Sequence, residues 1–259
     1  MARRMLGGLL LAAAMLTPVT GGKAQPPAVA SHNATYDFYL GGIWAGEMTV
    51  EADFGSAFDH DFGGGRTYRA GVTARTAGIV SFFFRAGVEA ETVGRIGAAG
   101  LSPVRFTADA YERRRRRLVE ISYDDGSPAS VVAEPAYRLR PWSISARGQP
   151  GIADPLSAAL EALAPAAADA ICNQTADIFD GERRWAIEIG PPQHEAGSGG
   201  RIRCDAVYVR IAGFKPKLMG ERARRPFTLF YEERGDGLFH VVRAVGKTSF
   251  GLAVLLLRE

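Results

Sequence analysis

The chain has 259 residues, of which 47% are hydrophobic and 23% charged, an ordinary balance for a globular protein with a core. Its 31 Lys and Arg exceed its 28 Asp and Glu, but residues 1–24 hold Arg3, Arg4 and Lys23 and no acid, so the remainder is even at 28 against 28. A general nucleic-acid surface needs a retained basic excess, and that partner is excluded.

Arg3 and Arg4 precede an apolar run over 5–16, and Gly22-Lys23-Ala24 puts small residues at its exit. Charge, short apolar core and small-residue exit, in that order, make the pattern of a secretory signal peptide. A run of about 12 residues falls short of the ~20 that a spanning helix needs. The pattern predicts cleavage near Ala24, a mature chain from Gln25 and a periplasmic address. No Cys follows the run, which argues against a lipid-anchored form, and no later apolar stretch is long and uncharged enough to serve as a transmembrane anchor. Residues 25–259 show no break in composition and are expected to form a single β-rich domain.

Most of that domain reads with period two. Strands are predicted over 35–40, then after Gly41-Gly42 over 43–54, and after Gly63-Gly64-Gly65 over 67–76 and 81–95. Further strands follow over 104–111, 118–123 and 130–134, with Asp124-Asp125-Gly126 as a hairpin signal. A helix then begins at Pro155, capped by Asp154, with Leu156, Leu160 and Leu163 on one face, and Pro165 either stops it or begins a second Ala-rich turn ending near Ile171. Strands over 185–189, 203–211, 227–232, 239–245 and 253–257 complete the chain. Roughly a dozen closely spaced strands predict a mainly β fold. The expected form is a curled antiparallel sheet, an open barrel or β-spiral, with one central helix covering or plugging its apolar side.

Cys172 and Cys204 are the two cysteines. A pair in an exported chain most often forms a disulfide, and closing a loop of this length stabilises by roughly 3–4 kcal/mol. A redox or metal site is the alternative, although the sequence has no CxxC and no His at zinc spacing from either Cys. No metal and no cofactor is expected.

Of His32, His60, His194 and His240, only His240 falls in a predicted strand. The sequence has no HExxH, no GxSxG and no Walker-type loop, so no catalytic residue is assigned. Asp59-His60-Asp61 reads as a solvated turn before the triple glycine rather than as a metal site.

Arg113, Arg114, Arg115, Arg116 and Arg117 form the most conspicuous local feature. Guanidinium forks can grip phosphates or an acidic polymer, and lipid head groups or envelope polymers are the anions an exported protein meets. The plainer reading is a charged hairpin tip that keeps a strand end soluble. Phe82, Phe83 and Phe84 interrupt the alternation. Either one of them lines an apolar ligand cavity or they make a corner of a two-sided core. The run 252–257 reads as a last strand buried on both sides.

Several segments form an ordered set: Tyr36-Asp37-Phe38-Tyr39-Leu40-Gly41-Gly42, Thr76-Ala77-Gly78, Asp154-Pro155-Leu156-Ser157, Cys172-Asn173-Gln174-Thr175, Phe179-Asp180-Gly181-Glu182-Arg183-Arg184, and Cys204 ahead of Ile211-Ala212-Gly213-Phe214. Together they resemble domain-of-unknown-function family 3108, a family of exported proteobacterial proteins. The resemblance covers most of the mature chain. It implies a periplasmic, β-rich protein with a curled sheet like the half-barrels that handle lipids or envelope polymers, and it brings no catalytic residues. Asp180-Gly181 and Ala212-Gly213 read as turns, with the cysteines as a staple between them.

The expected function is non-enzymatic envelope maintenance through a lipid or other amphipathic envelope molecule, with the arginine run, or Arg183 and Arg184, near its head group. The alternatives are a scaffold that pairs through a strand edge with another envelope protein, and an envelope hydrolase with an unrecognised site.

Overall fold

The computed structural model describes residues 27–55, 65–98, 100–194 and 200–258. The leader, Asp59-His60-Asp61 and Gly63-Gly64 lie outside the described residues. Seven strands come first: β1 (Ser31–Leu40), β2 (Ile43–Phe54), β3 (Thr67–Thr76), β4 (Ala86–Gly97), β5 (Gly100–Glu112), β6 (Arg115–Asp124) and β7 (Ser127–Glu134). A one-turn helix, α1 (Val80–Phe83), sits between β3 and β4. After α2 (Pro155–Leu163) come β8 (Gln174–Phe179), β9 (Arg184–His194), β10 (Ile202–Ala212), β11 (Arg224–Glu233), β12 (Phe239–Thr248) and β13 (Gly251–Leu257).

These thirteen strands form one sheet in the order β7-β6-β5-β4-β3-β2-β1-β13-β12-β11-β10-β9-β8. It is two antiparallel meanders joined where the first strand meets the last, with Tyr36 opposite Leu257 and Leu40 opposite Ala253. Helix α2 packs on β3, β4 and β5 of one arm and on β8 and β12 of the other, so the sheet curls around it into a barrel-like wall. The sheet's two ends approach at the β8–β9 turn. A Cβ at Gly181 would lie 3.1 Å from Val119 Cγ1 and 3.3 Å from Val131 Cγ1, so glycine lets that turn seat against β6 and β7. Ala153 bridges to Ile178 beside the seam.

Residues on alternate positions face inward. Val50, Ala52, Phe54, Tyr68, Ala70, Phe106 and Ile121 meet Leu156 and Leu160 of α2 in one cluster. Ile189, Ile202, Ala206, Leu229, Tyr231 and Val241 form a second around the helix tail. The interior is therefore filled by the helix and its contacts. Asp154 caps α2 by accepting from the N–H groups of Leu156 (2.8 Å) and Ser157 (2.9 Å). Its other oxygen accepts from Thr92 Oγ1 (2.9 Å) and Ser157 Oγ, and Tyr68 Oη lies 2.6 Å from Ser157 Oγ. This polar knot is closed to solvent and ties the helix start to β3 and β4.

One turn on, Glu161 accepts from the Leu101 N–H (3.0 Å). Burial, opposed by that bond, pushes its pKa up from 4.5 to about 7. A carboxyl with a raised folded-state pKa contributes most below its unfolded pKa and loses that contribution as pH rises through the folded value. Glu161→Gln is thus expected to match the parent at pH 4 and to exceed it in urea stability by up to about 3 kcal/mol at pH 8. A variant no more stable than the parent at pH 8 would refute this account.

Cys172 and Cys204 form a disulfide, with Cα atoms 5.8 Å apart. It fastens the chain that follows α2 to β10. That same stretch bonds the wall elsewhere, through Ala166 with Phe239 and through the Asn173 N–H to the Gly190 carbonyl.

Three details correct the sequence reading. Residues 81–95 are not one strand, because the Ala77-Gly78 turn feeds one helical turn before β4 starts. Strand β8 has no counterpart among the predicted strands. The run 252–257 is not buried on both sides: Leu252 and Leu256 are exposed, since a single sheet around one core covers one face only.

Candidate functional site

Because neighbouring strands are antiparallel, alternate connections gather at one rim. In ring order these are the β5–β6 turn, the β3–β4 connection with α1, the β1–β2 turn, the β12–β13 turn, the β10–β11 connection and the β8–β9 turn. Backbone hydrogen bonds lace them together. The Arg113 N–H donates to the Arg85 carbonyl (2.6 Å), Ala77 to Ala45 (2.9 Å) and Gly41 to Leu252 (2.8 Å).

The centre of this rim is apolar and exposed. Phe82, Phe83 and Phe250 are 88%, 78% and 78% accessible, with Ile43, Ile79, Trp44 and Leu252 beside them. The indole Nε1–H of Trp44 donates to Asp37 (3.0 Å), and its ring lies over Gly78, where a Cβ would come within 2.9 Å of it. The φ of +58° at Gly78 also favours glycine. Phe82, Phe83 and Phe84 thus neither line a cavity nor make a core corner. The helical turn carries them out of the alternating strand pattern and onto the rim.

Basic loops flank the apolar centre on both sides. Over 41–43, 77–85, 112–115, 180–183, 213–225 and 247–251 the rim holds eleven Lys and Arg against four Asp and Glu. The arginine run divides here. Arg113, with φ 57°, and Arg114 form the two-residue turn, and Arg115 opens β6; all three are exposed and make no ion pair among the described residues. Arg116 is bidentate to Asp109, which holds that carboxyl below its usual range. Arg117 stacks on the Tyr137 ring at 4.5 Å. The hairpin-tip reading holds for the turn, whereas the last two arginines serve the wall.

Arg183 and Arg184 do not join a free anion site. Arg183 pairs with Glu182 (3.1 Å) and lies over Phe214, and Arg184 pairs with Asp177 (3.3 Å). Asp180 accepts from the N–H groups of Glu182 and Arg183, so the Asp-Gly-Glu-Arg-Arg segment is a seam-closing turn. Burial raises the Asp180 pKa, with those two N–H bonds opposing.

Two cavities lie elsewhere. One, of about 650 Å³, is a groove on the outer face of β2 to β7, bordered by Glu51, Glu89, Glu91, Asp109, Glu120 and Glu134. The other, of about 420 Å³, opens at the opposite rim between β1 and β12 and includes His32 and His240. The sequence reading put His32 ahead of the first strand; it is buried within β1. No local signal marks that pocket, because it arises between strands far apart in the chain. Among the described residues no three His, Cys, Asp or Glu side chains converge to hold a metal.

A solved structure titled as a beta-barrel-like protein of domain of unknown function DUF1849 from Brucella abortus is similar at 13% identity and a TM-score of 0.45, covering 91% of this chain and 98% of that one. No curated protein matches. The family model described as protein of unknown function (DUF3108) matches residues 35–256, from β1 to β13, and the chain belongs to that family.

Proposed function

We propose that this is a non-enzymatic, exported envelope protein that docks an anionic lipid surface with its apolar, cationic rim. The observation that carries the reading is the adjacency of the Phe82, Phe83 and Phe250 tips to the free Arg113, Arg114 and Arg115 on one laced edge. Burying one such ring contributes about 1.5–3 kcal/mol, and each arginine beside anionic lipid about 1 kcal/mol. The interior supports surface docking over lipid carriage, since α2 occupies it. The charged outer face of β2 to β7 is unlike the apolar band of a spanning barrel. Export is supported by the pattern of residues 1–24 and by the disulfide.

The test is flotation with phosphatidylglycerol and with phosphatidylcholine vesicles. Binding is expected to the anionic vesicles, to weaken with salt, and to fall at least about tenfold in Phe82→Ser/Phe83→Ser and in Arg113→Gly/Arg114→Ser. Equal recovery of parent and both variants, or no recovery at all, sinks the reading.

A second reading rests on β7, which ends the sheet and carries the exposed Val132. That edge can accept a strand from another envelope protein. A photo-crosslinker at position 132 that captures a single protein in cells would favour it over lipid docking.

A further inference from the structure

At the rim opposite the lipid-docking edge, a pocket lies between β1 and β12 beyond their last described pairing with β13. Strand β13 ends at Leu257, opposite Tyr36, and the Arg258 N–H makes a last bond to the Thr35 carbonyl. On one side β1 runs on to Ser31, still paired with β2. On the other, β12 extends back to Phe239, past its first β13 pair at Arg243. The two strands therefore flank a gap one strand wide, roughly 10 Å from backbone to backbone.

What faces the gap is hydrogen-bonding: burial lowers the His32 pKa to about 4, so its ring is neutral and carries one N–H. His32 is 8% exposed, and its Nε2 has no partner among the described residues although the ring borders the cavity. His240 stands across from it, held by Asp236 at 2.8 Å. Arg234 is exposed at the mouth and makes no ion pair among the described residues. Arg258 borders the pocket while its guanidinium is anchored by Asp37 and Glu47. A buried imidazole nitrogen without a partner costs free energy that a suitable ligand would recover. A fork-shaped guanidinium and two imidazoles bordering one space match the several acceptor oxygens of a phosphate. The volume, about 420 Å³, leaves room for an organic part beside Leu257.

We infer that the gap between β1 and β12 binds a soluble phosphomonoester, its phosphate held by Arg234, His32 and His240. The ligand is assigned to solution rather than to a lipid head group because the gap opens at the end of the barrel away from the lipid-docking rim. The choice of a soluble ester over a lipid head group rests on the docking reading, whereas phosphate recognition by the gap does not and is tested by itself with inorganic phosphate.

Isothermal titration of the full purified protein with inorganic phosphate and with glycerol phosphate tests this, alongside NMR of the His32 imidazole. Saturable binding is expected, with a ligand-dependent shift of the His32 ring signals and tighter binding of the ester than of phosphate. Arg234→Ala, an exposed change that leaves the core alone, is expected to weaken binding at least about tenfold. Three results would overturn the inference. One is no saturable binding of either probe up to about 20 mM, a concentration that corresponds to negligible affinity. Another is unchanged affinity in Arg234→Ala together with a silent His32. The last is capture by phosphatidic acid vesicles, lost in Arg234→Ala, with no binding of the soluble ester, which would assign the gap to a lipid head group.

Discussion

Asp154→Ala is expected to destabilise the protein by about 3–5 kcal/mol in urea unfolding. The cap is worth about 1–2 kcal/mol, and the two buried hydroxyls, Ser157 without its acceptor and Thr92 left with its longer bond to the Arg105 carbonyl (3.4 Å), together add about 2–3 kcal/mol. All three groups are sealed inside the barrel, so water cannot replace the lost carboxylate. Asp154→Asn separates the terms. Its amide oxygen still caps the helix, and the hydroxyls can turn to accept from its NH₂, so a cost near 1 kcal/mol is expected. Burial raises the pKa of Asp154 even though four hydrogen bonds oppose it. The native carboxyl therefore stabilises less as pH rises above the ordinary carboxylate range, and the Asn variant should close on the parent in that direction. A loss below about 1 kcal/mol in the Ala variant would mean that the knot is not what seats α2.

Replacing both cysteines by serine is the second large effect, expected at about 3–4 kcal/mol. Its structural signature is local. The disulfide holds the stretch between α2 and β8 on β10, so the amides of Asn173 and Phe239, which bond across that stretch, should lose hydrogen-exchange protection first. Amides of β2 to β5, packed in the other cluster, should change only with global stability. Uniform loss of protection along the chain would instead point to a staple acting on the whole barrel. The two experiments address opposite ends of one plug: the knot at the helix start and the disulfide at its tail.

Much of this architecture was legible in the sequence, for a local reason. Alternation in 43–54 and 67–76 marks two strands at the bounds they take, because side chains on a strand alternate faces whatever its neighbours are. Asp154-Pro155 marks the helix start because capping is settled within four residues. Phe82, Phe83 and Phe84 were misread because three aromatics in a row fit a strand's composition, while their path depends on the turn at Gly78 and on the seat it gives Trp44. The arginine run was legible as charge but not as roles: Arg116 and Arg117 are engaged by Asp109 and Tyr137, partners fixed by strand register and by the seam.

The sequence by itself determined the β-rich class, the capped central helix, the cysteine pair and the family pattern, since each rests on composition, period or short spacing. Tertiary structure alone decided which strands are neighbours, and with that everything proposed about function. Joining β1 to β13 brings the Phe250 turn beside Gly41 and gathers the apolar tips and free arginines on one rim. The placing of β1 and β12 on either side of β13 brings His32 and His240 to one pocket. Such juxtapositions come from long-range pairing and strand length, whose energetics are spread over the whole sheet and leave no signature in any short stretch of chain.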